Sequence, residues 1–524
     1  MSPVLAFKVI LLSLVAIIVL ALLARRLHLP PAAAMLVGGA AMAFIPGLPP
    51  IALDPDLILV VFLPPLLVDG AYFIVWDEFR RNLNGILLLA IGAVVFTTLV
   101  VGVVTHWIAP SLPWGVCFAL GAIVSPPDAI AAKAVLERVA LPRRLMMLLE
   151  GESMLNDASG LVLYRFAVAA VLTGTFSVQQ ALGNFVVLCL GGIAVGVVIG
   201  FAVVRLLKRM QDTYLIILAS VLPAWISYII GEAIEVSGVM AAVTYGLILG
   251  WHQHEVMSAT VRTRGTAFWQ VMIFLFESLV FILIGLSLRG VVERVGGSAQ
   301  ALVAFAPAVA AIVAAVLLAR FVWVFGIDGL LSLWHRPLRF DWRAATVKSW
   351  AGMRGVVTLA VALALPPMLP GRDLILVTAF VVILVTVLVQ GSTIGALIRI
   401  LGFDGSAEHD SRHLTEPQAW ARLEAVQFAR VSALAYDSQG QLCHPRLLEQ
   451  YAYRAQVTQL HQNELELPLD VRTAHYDIVL AAVAAGREEL LHLHRSGQLH
   501  DELLHMLEHD LDLQEITAIH GRGS

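Results

Sequence analysis

Ser125-Pro126-Pro127-Asp128 interrupts an apolar run over 114–135, and Gly352-Met353-Arg354-Gly355 interrupts another over 343–366. Proline removes an N–H and crowds the preceding turn, and glycine weakens a helix, so both motifs predict helices unwound near mid-length. One interruption brings a carboxylate and the other a guanidinium. Working outward from them, thirteen apolar stretches follow one another near 4–24, 29–47, 57–76, 83–108, 114–135, 145–173, 180–204, 213–232, 236–251, 267–288, 300–325, 343–366 and 374–398. Most are long enough for a bilayer span, which takes about 20 residues.

Composition agrees. The 524 residues are 59% hydrophobic and only 14% charged, against about 25% charged in an ordinary soluble domain. A cytosolic enzyme and a disordered scaffold are both excluded. The formal net charge of −4 hides a split. Residues 1–403 carry 25 Lys and Arg against 19 Asp and Glu, whereas residues 404–524 carry 9 Arg, no Lys and 19 Asp and Glu. The expectation is an all-α polytopic membrane domain over 1–403 and an acidic, helical cytoplasmic domain over 404–524. The first run ends in Arg25-Arg26 and reads as a retained helix rather than a cleaved signal. Cys117, Cys189 and Cys443 are too few and too scattered for a disulfide framework or a CxxC metal site.

Orientation follows from the basic residues. With the N-terminus outside, the junctions assigned to the cytoplasm hold 16 Lys and Arg and the opposite junctions hold three, Arg289, Arg294 and Arg372. That bias favours an odd helix number with the C-terminus inside. Thirteen spans divide as six, one and six, and the two interruptions then fall in the fifth helix of each half. Paired interruptions at matching positions of inverted repeats mark the midplane site of many secondary transporters.

Charges inside the spans are costly and mark ion or proton paths. Asp69 closes Phe62-Leu63-Pro64-Pro65-Leu66-Leu67-Val68-Asp69. Asp128 stands at the first interruption, and the next stretch opens Glu150-Gly151-Glu152-Ser153-Met154-Leu155-Asn156-Asp157. Ser153 and Asp157 share one helix face at i,i+4, and Glu152 and Asn156 share the adjacent one. Two carboxylates, a hydroxyl and freed carbonyls are hard oxygen donors, suited to a small hard cation. An Asp so placed holds a proton or a cation but not both, which is a sufficient basis for exchange. Glu152 and Arg354 are expected to form an ion pair, and Glu277 and Arg320 a second.

These motifs resemble the monovalent cation/proton antiporter-1 family of sodium/proton exchangers. The resemblance rests on Phe-Leu-Pro-Pro-Leu-Leu-Val-Asp (62–69), Gly-Ala-Ile-Val-Ser-Pro-Pro-Asp-Ala (121–129), Glu-Gly-Glu-Ser-Met-Leu-Asn-Asp (150–157), Gly-Met-Arg-Gly (352–355) and Val-Gln-Gly-Ser-Thr (389–393), in that order. It implies a homodimer with a six-helix core that moves like an elevator. It implies that Asp157 is the essential ion- and proton-binding carboxylate, that Asp128 and Ser153 ligate the cation, and that Asn156 steadies the first interruption. It likewise implies Glu152 with Arg354 as the family's buried ion pair. An Asn before the key Asp resembles the electroneutral, one-for-one members. Pro127 departs from the family's usual Thr, so that position offers the cation a carbonyl without a hydroxyl. Glu277 looks like the glutamate of the animal exchangers. The implied partners are monovalent cations, protons and the bilayer, with no cofactor.

Two other classes fit less well. An intramembrane aspartyl protease needs a Gly-Asp pair, which the chain lacks. A cation channel needs a filter repeat, and none is visible. No GxxxxGK[ST] phosphate loop supports ATP-driven pumping. In the tail, Thr415-Glu416-Pro417 predicts a helix start, with helices to about 436 and between about 470 and 517. The tail holds 11 of the chain's 16 His, including His492, His494, His500, His505 and His509. Histidine titrates near neutrality, so one reading of the tail is a pH sensor. Its acidity argues against nucleic acid.

Overall fold

The computed structural model describes residues 3–27, 29–46, 55–128, 141–173, 178–294, 299–334, 340–366, 368–403, 416–436, 439, 441–463, 469–496, 499 and 501–523. It divides into two compact units, residues 1–407 and 408–524. The described residues are mostly helical, joined by turns and unwound segments, with one isolated bridge between Tyr436 and Leu442.

In the first unit helices occupy each of the thirteen apolar stretches. They are α1 (Pro3–Leu27), α2 (Pro31–Ala43), α3 (Pro55–Tyr72), α4 (Trp76–Ile108), α5 (Trp114–Val124), α6 (Arg143–Thr173), α7 (Val178–Leu207), α8 (Thr213–Ala233), α9 (Gly238–Val256), α10 (Ala259–Arg294) and α11 (Ala299–Trp334). Two more follow: α12, in halves Trp342–Trp350 and Val356–Leu363, and α13 (Arg372–Ile400). Nine of the described helices are long and apolar enough to cross a membrane, while α2 and α5 are shorter. The second half of the stretch predicted over 114–135 falls in 129–140, outside the described residues.

Apolar faces point outward as well as inward. Phe7, Ile18 and Leu22 of α1 and Val187, Leu190 and Val198 of α7 are all exposed. In water such a surface would drive association; in lipid it is the solvated face. The interior is closed by small residues. Gly39 of α2 lies on the backbone of Ile282, and Gly285 of α10 on the backbone of Leu36 and Ala40, so α2 and α10 approach as closely as backbones can. The α3 helix runs through Pro64 and Pro65 without stopping. Short side-chain caps start several helices: Asp212 accepts from Leu215 N–H at 2.9 Å, and Asp341 accepts from Arg343 N–H at 2.9 Å. Single π-helical turns at Leu88–Ala93 in α4 and Thr386–Gln390 in α13 add one residue to the local turn.

The second unit is built from α14 (Glu416–Leu434), α15 (Pro445–Asn463), α16 (Leu469–Arg495) and α17 (Asp501–Gly523). Arg454 of α15 holds Glu424 of α14 at 2.5 Å. Arg487 of α16 reaches Asp512 at 2.8 Å and Glu515 at 2.5 Å on α17, and Arg522 returns to Asp477 at 3.1 Å. These crossed pairings make α16 and α17 an antiparallel hairpin. The α15 helix is not among the sequence expectations, although Pro445 after a polar turn is an ordinary helix start. The predicted Thr415 cap and His500 lie outside the described residues, as does the side chain of His505.

Candidate functional site

The α5 helix stops at Val124 because the next residues cannot continue it. Pro126 and Pro127 carry no N–H, so unwinding there orphans few donors. The Ser125 hydroxyl lies 3.2 Å from Ala122 O and 3.1 Å from Thr98 Oγ1. The freed Pro127 carbonyl accepts from Asn156 Nδ2 at 2.5 Å. The Pro126 ring fits against Gly160 of α6, where any larger residue would collide with it.

The second interruption meets the first. Asp128 N–H donates to Met353 O at 2.6 Å, joining the two unwound segments directly. Arg354 N–H donates to Thr386 Oγ1 of α13 at 3.0 Å, so a buried donor freed by unwinding is satisfied. Gly355 precedes the second half of α12 and lies against the Asp128 carboxylate; a Cβ there would take the carboxylate's space. The carboxylate thus stands at the positive end of that half-helix, where negative charge is favoured.

The α6 helix delivers the other groups at helical spacing. Glu152 and Asn156 are fully buried, while Ser153 and Asp157 on the adjoining face are half-buried, as is Asp128. Asp157 and Asp128 lie close enough for their charges to interact. Two carboxylates, a hydroxyl and unwound backbone are therefore gathered around one crossing point. All are oxygen donors, and Asp128, Ser153 and Asp157 are only half-buried.

The arginines are arranged differently from expectation. Glu152 pairs with Arg320 of α11, not with Arg354: Arg320 Nη1 and Nη2 donate to the two carboxylate oxygens at 2.5 and 2.8 Å. Arg320 Nε also donates to Lys348 O at 3.1 Å, capping the first half of α12, and its stem packs on Gly352. Glu277, expected beside Arg320, is half-buried in α10, and the Arg320 guanidinium is committed to Glu152 and Lys348. A planar fork that meets a carboxylate in two bonds outcompetes a single contact, and only Arg320 presents its fork edge-on to Glu152. Arg354 is buried close by, with Nε and Nη1 lacking a partner among the described residues. Lys348 is paired with Asp328 of α11.

Asp69 is buried near the end of α3, next to Gly70, which touches Met154 of α6. It therefore borders the α6 segment that carries the site. Thr98 and Thr386 belong to the geometry and were not singled out in the sequence. A hydroxyl one turn from a glycine or a π turn carries no distinctive spacing, and only tertiary contact reveals it.

Known proteins share this chain's pattern. Residues 10–400 match the family described as sodium/hydrogen exchanger, transmembrane. An uncharacterised Na+/H+ exchanger of Escherichia coli is 30% identical over 499 residues, covering 89% of this chain and 90% of that protein. A sodium, potassium, lithium and rubidium/H+ antiporter of Bacillus subtilis is 34% identical over 360 residues, covering 64% of this chain and 53% of that one. Among solved structures, the sodium/proton antiporter MjNhaP1 of Methanocaldococcus jannaschii superimposes with a TM-score of 0.62 at 21% identity, over 77% of this chain and all of that one. That likeness is one of fold.

Proposed function

The chain belongs to the sodium/hydrogen exchanger family, and from that premise we propose that it exchanges a monovalent cation, sodium foremost, for a proton at Asp157. The observation that carries the reading is the junction of the two interruptions, where Asp128 N–H meets Met353 O beside the Asp157 carboxylate. Asp157, Asp128, Ser153 and the unwound backbone at Pro127 are the cation's ligands, with Asp69 bordering them. Asn156 positions the Pro127 carbonyl. Glu152 and Arg320 brace α6 against α11, and buried Arg354 and half-buried Glu277 complete the charge set.

The coupling follows from charge. Carrying bare, closely spaced carboxylates through a low-dielectric barrier is costly, and a proton or a cation on Asp157 removes that cost. Each neutralised form crosses; the empty, charged form does not. Asn156 contributes no charge, so one proton balances one monovalent cation and the cycle is electroneutral. The moving body is a six-helix core containing α5, α6 and α12, sliding elevator-fashion within a homodimer. In the proposed architecture thirteen spans form inverted repeats, and the bias of basic residues supports an N-terminus outside and an acidic tail in the cytoplasm of a cell membrane. Pro127 offers the ion a carbonyl only, and the Bacillus subtilis relative, by its name, handles several alkali cations. A broad cation range is therefore consistent with this site.

Everted vesicles loaded with a pH-sensitive dye test the proposal. Sodium, lithium and potassium are added in turn to vesicles holding the wild type or Asp157→Asn. Cation-dependent dequenching by the wild type and none by Asp157→Asn is expected. Normal exchange by the variant would overturn the site assignment.

A further inference from the structure

A cleft opens away from the proposed exchange site where α3, α8, α9 and α10 converge. It is walled by Val68, Val221 and Leu249 and carries Arg262, Thr266 and Trp269 from the first turns of α10. Among the described residues no carboxylate lines it. Arg262 is half-buried and spends one donor, Nη1, on Met257 O at 2.7 Å. Trp269 is 7% exposed, yet its Nε1–H finds no partner among the described residues. Arg262 and Trp269 both line this apolar cleft, and a guanidinium with an unpartnered indole N–H nearby is a donor set for an anionic head group, since an arginine fork matches phosphate oxygens.

The surroundings fit a tail as well as a head. Tyr214, Leu215 and Leu218 on α8 and Phe268 and Val271 on α10 flank the lining residues and are exposed. This is an apolar surface continuous with the mouth. Tryptophan and tyrosine at the ends of spans sit at head-group depth. The cleft is at such a level, beside the end of α3, the end of α9 and the start of α10.

We infer that this cleft binds an anionic phospholipid, its phosphate on Arg262 and Trp269 Nε1 and its acyl chain along the outer faces of α8 and α10. The site is separate from Asp157 and needs no transport activity for its detection. The full-length protein, stripped of lipid in detergent, is titrated with phosphatidylglycerol, phosphatidylcholine or inorganic phosphate. Binding is read by native mass spectrometry and by melting temperature. Phosphatidylglycerol should bind and stabilise, and phosphatidylcholine should do so far less. Trp269→Phe keeps an aromatic side chain while removing the indole N–H with its five-membered ring, and Arg262→Gln removes the charge; each should weaken phosphatidylglycerol binding about tenfold, the loss of a hydrogen bond to a charged group. Unaltered binding by both variants would overturn the inference, as would equal binding of the two lipids. Full stabilisation by inorganic phosphate alone would assign the cleft to a free anion and overturn the lipid.

Discussion

The interruption in α5 is built from prolines and carries a carboxylate; the one in α12 is built from glycines and carries a guanidinium. The prolines remove donors, so the first segment exposes carbonyls, and one of these is taken by Asn156. The glycines remove side chains, so the second segment lets others approach: Arg320 against Gly352 and the Asp128 carboxylate against Gly355. Each is steadied from a neighbouring helix, by Asn156 of α6 and by Thr386 of α13. The first segment is thus a ligand source and the second a receptacle. Proline and glycine, commonly grouped as helix breakers, do opposite work at one crossing.

Filling the receptacle should have the largest effect. Gly355→Ala puts a methyl where the Asp128 carboxylate lies, and a displacement on the order of 1 Å at a reacting site costs about 10²-fold. Exchange in vesicles should fall by about that factor with the protein still inserted; wild-type rates would show that Asp128 moves aside freely. Next comes the brace. Arg320→Gln strands the buried Glu152 and should cost about 3–5 kcal/mol, read as melting temperature in detergent. Arg354→Gln should cost less, because Glu152 keeps its partner. The reverse order would return Glu152 to Arg354. Asn156→Ala leaves the Pro127 carbonyl unsatisfied at a cost of about 1–3 kcal/mol and should raise the cation concentration for half-maximal exchange about tenfold. Smallest is Thr386→Val, which removes the acceptor for Arg354 N–H at nearly constant volume, about 1 kcal/mol of stability. An effect larger than that of Asn156→Ala would reverse the ranking of the two supports.

The sequence was legible where local chemistry acts alone. Ser-Pro-Pro-Asp and Gly-Met-Arg-Gly announce where helices stop, and Glu152, Ser153, Asn156 and Asp157 announce by spacing which face each occupies. The choice between Arg320 and Arg354 was not legible. Arg320 follows a long apolar run and Arg354 stands in a glycine-flanked interruption, but nothing in their spacing tells which guanidinium lies edge-on to Glu152. The π turns at Leu88–Ala93 and Thr386–Gln390 were hidden for a related reason: each is one extra residue within a continuous helix and leaves no mark in composition. The α15 helix was missed because its polar sequence offers little periodicity, and its stability comes from packing on α14.

The most direct test is proton release on cation binding by the purified protein in weakly buffered detergent solution. Adding sodium to the wild type should release a proton for each cation bound, and Asp157→Asn should release none. Sodium binding by the wild type without proton release would contradict competition for Asp157.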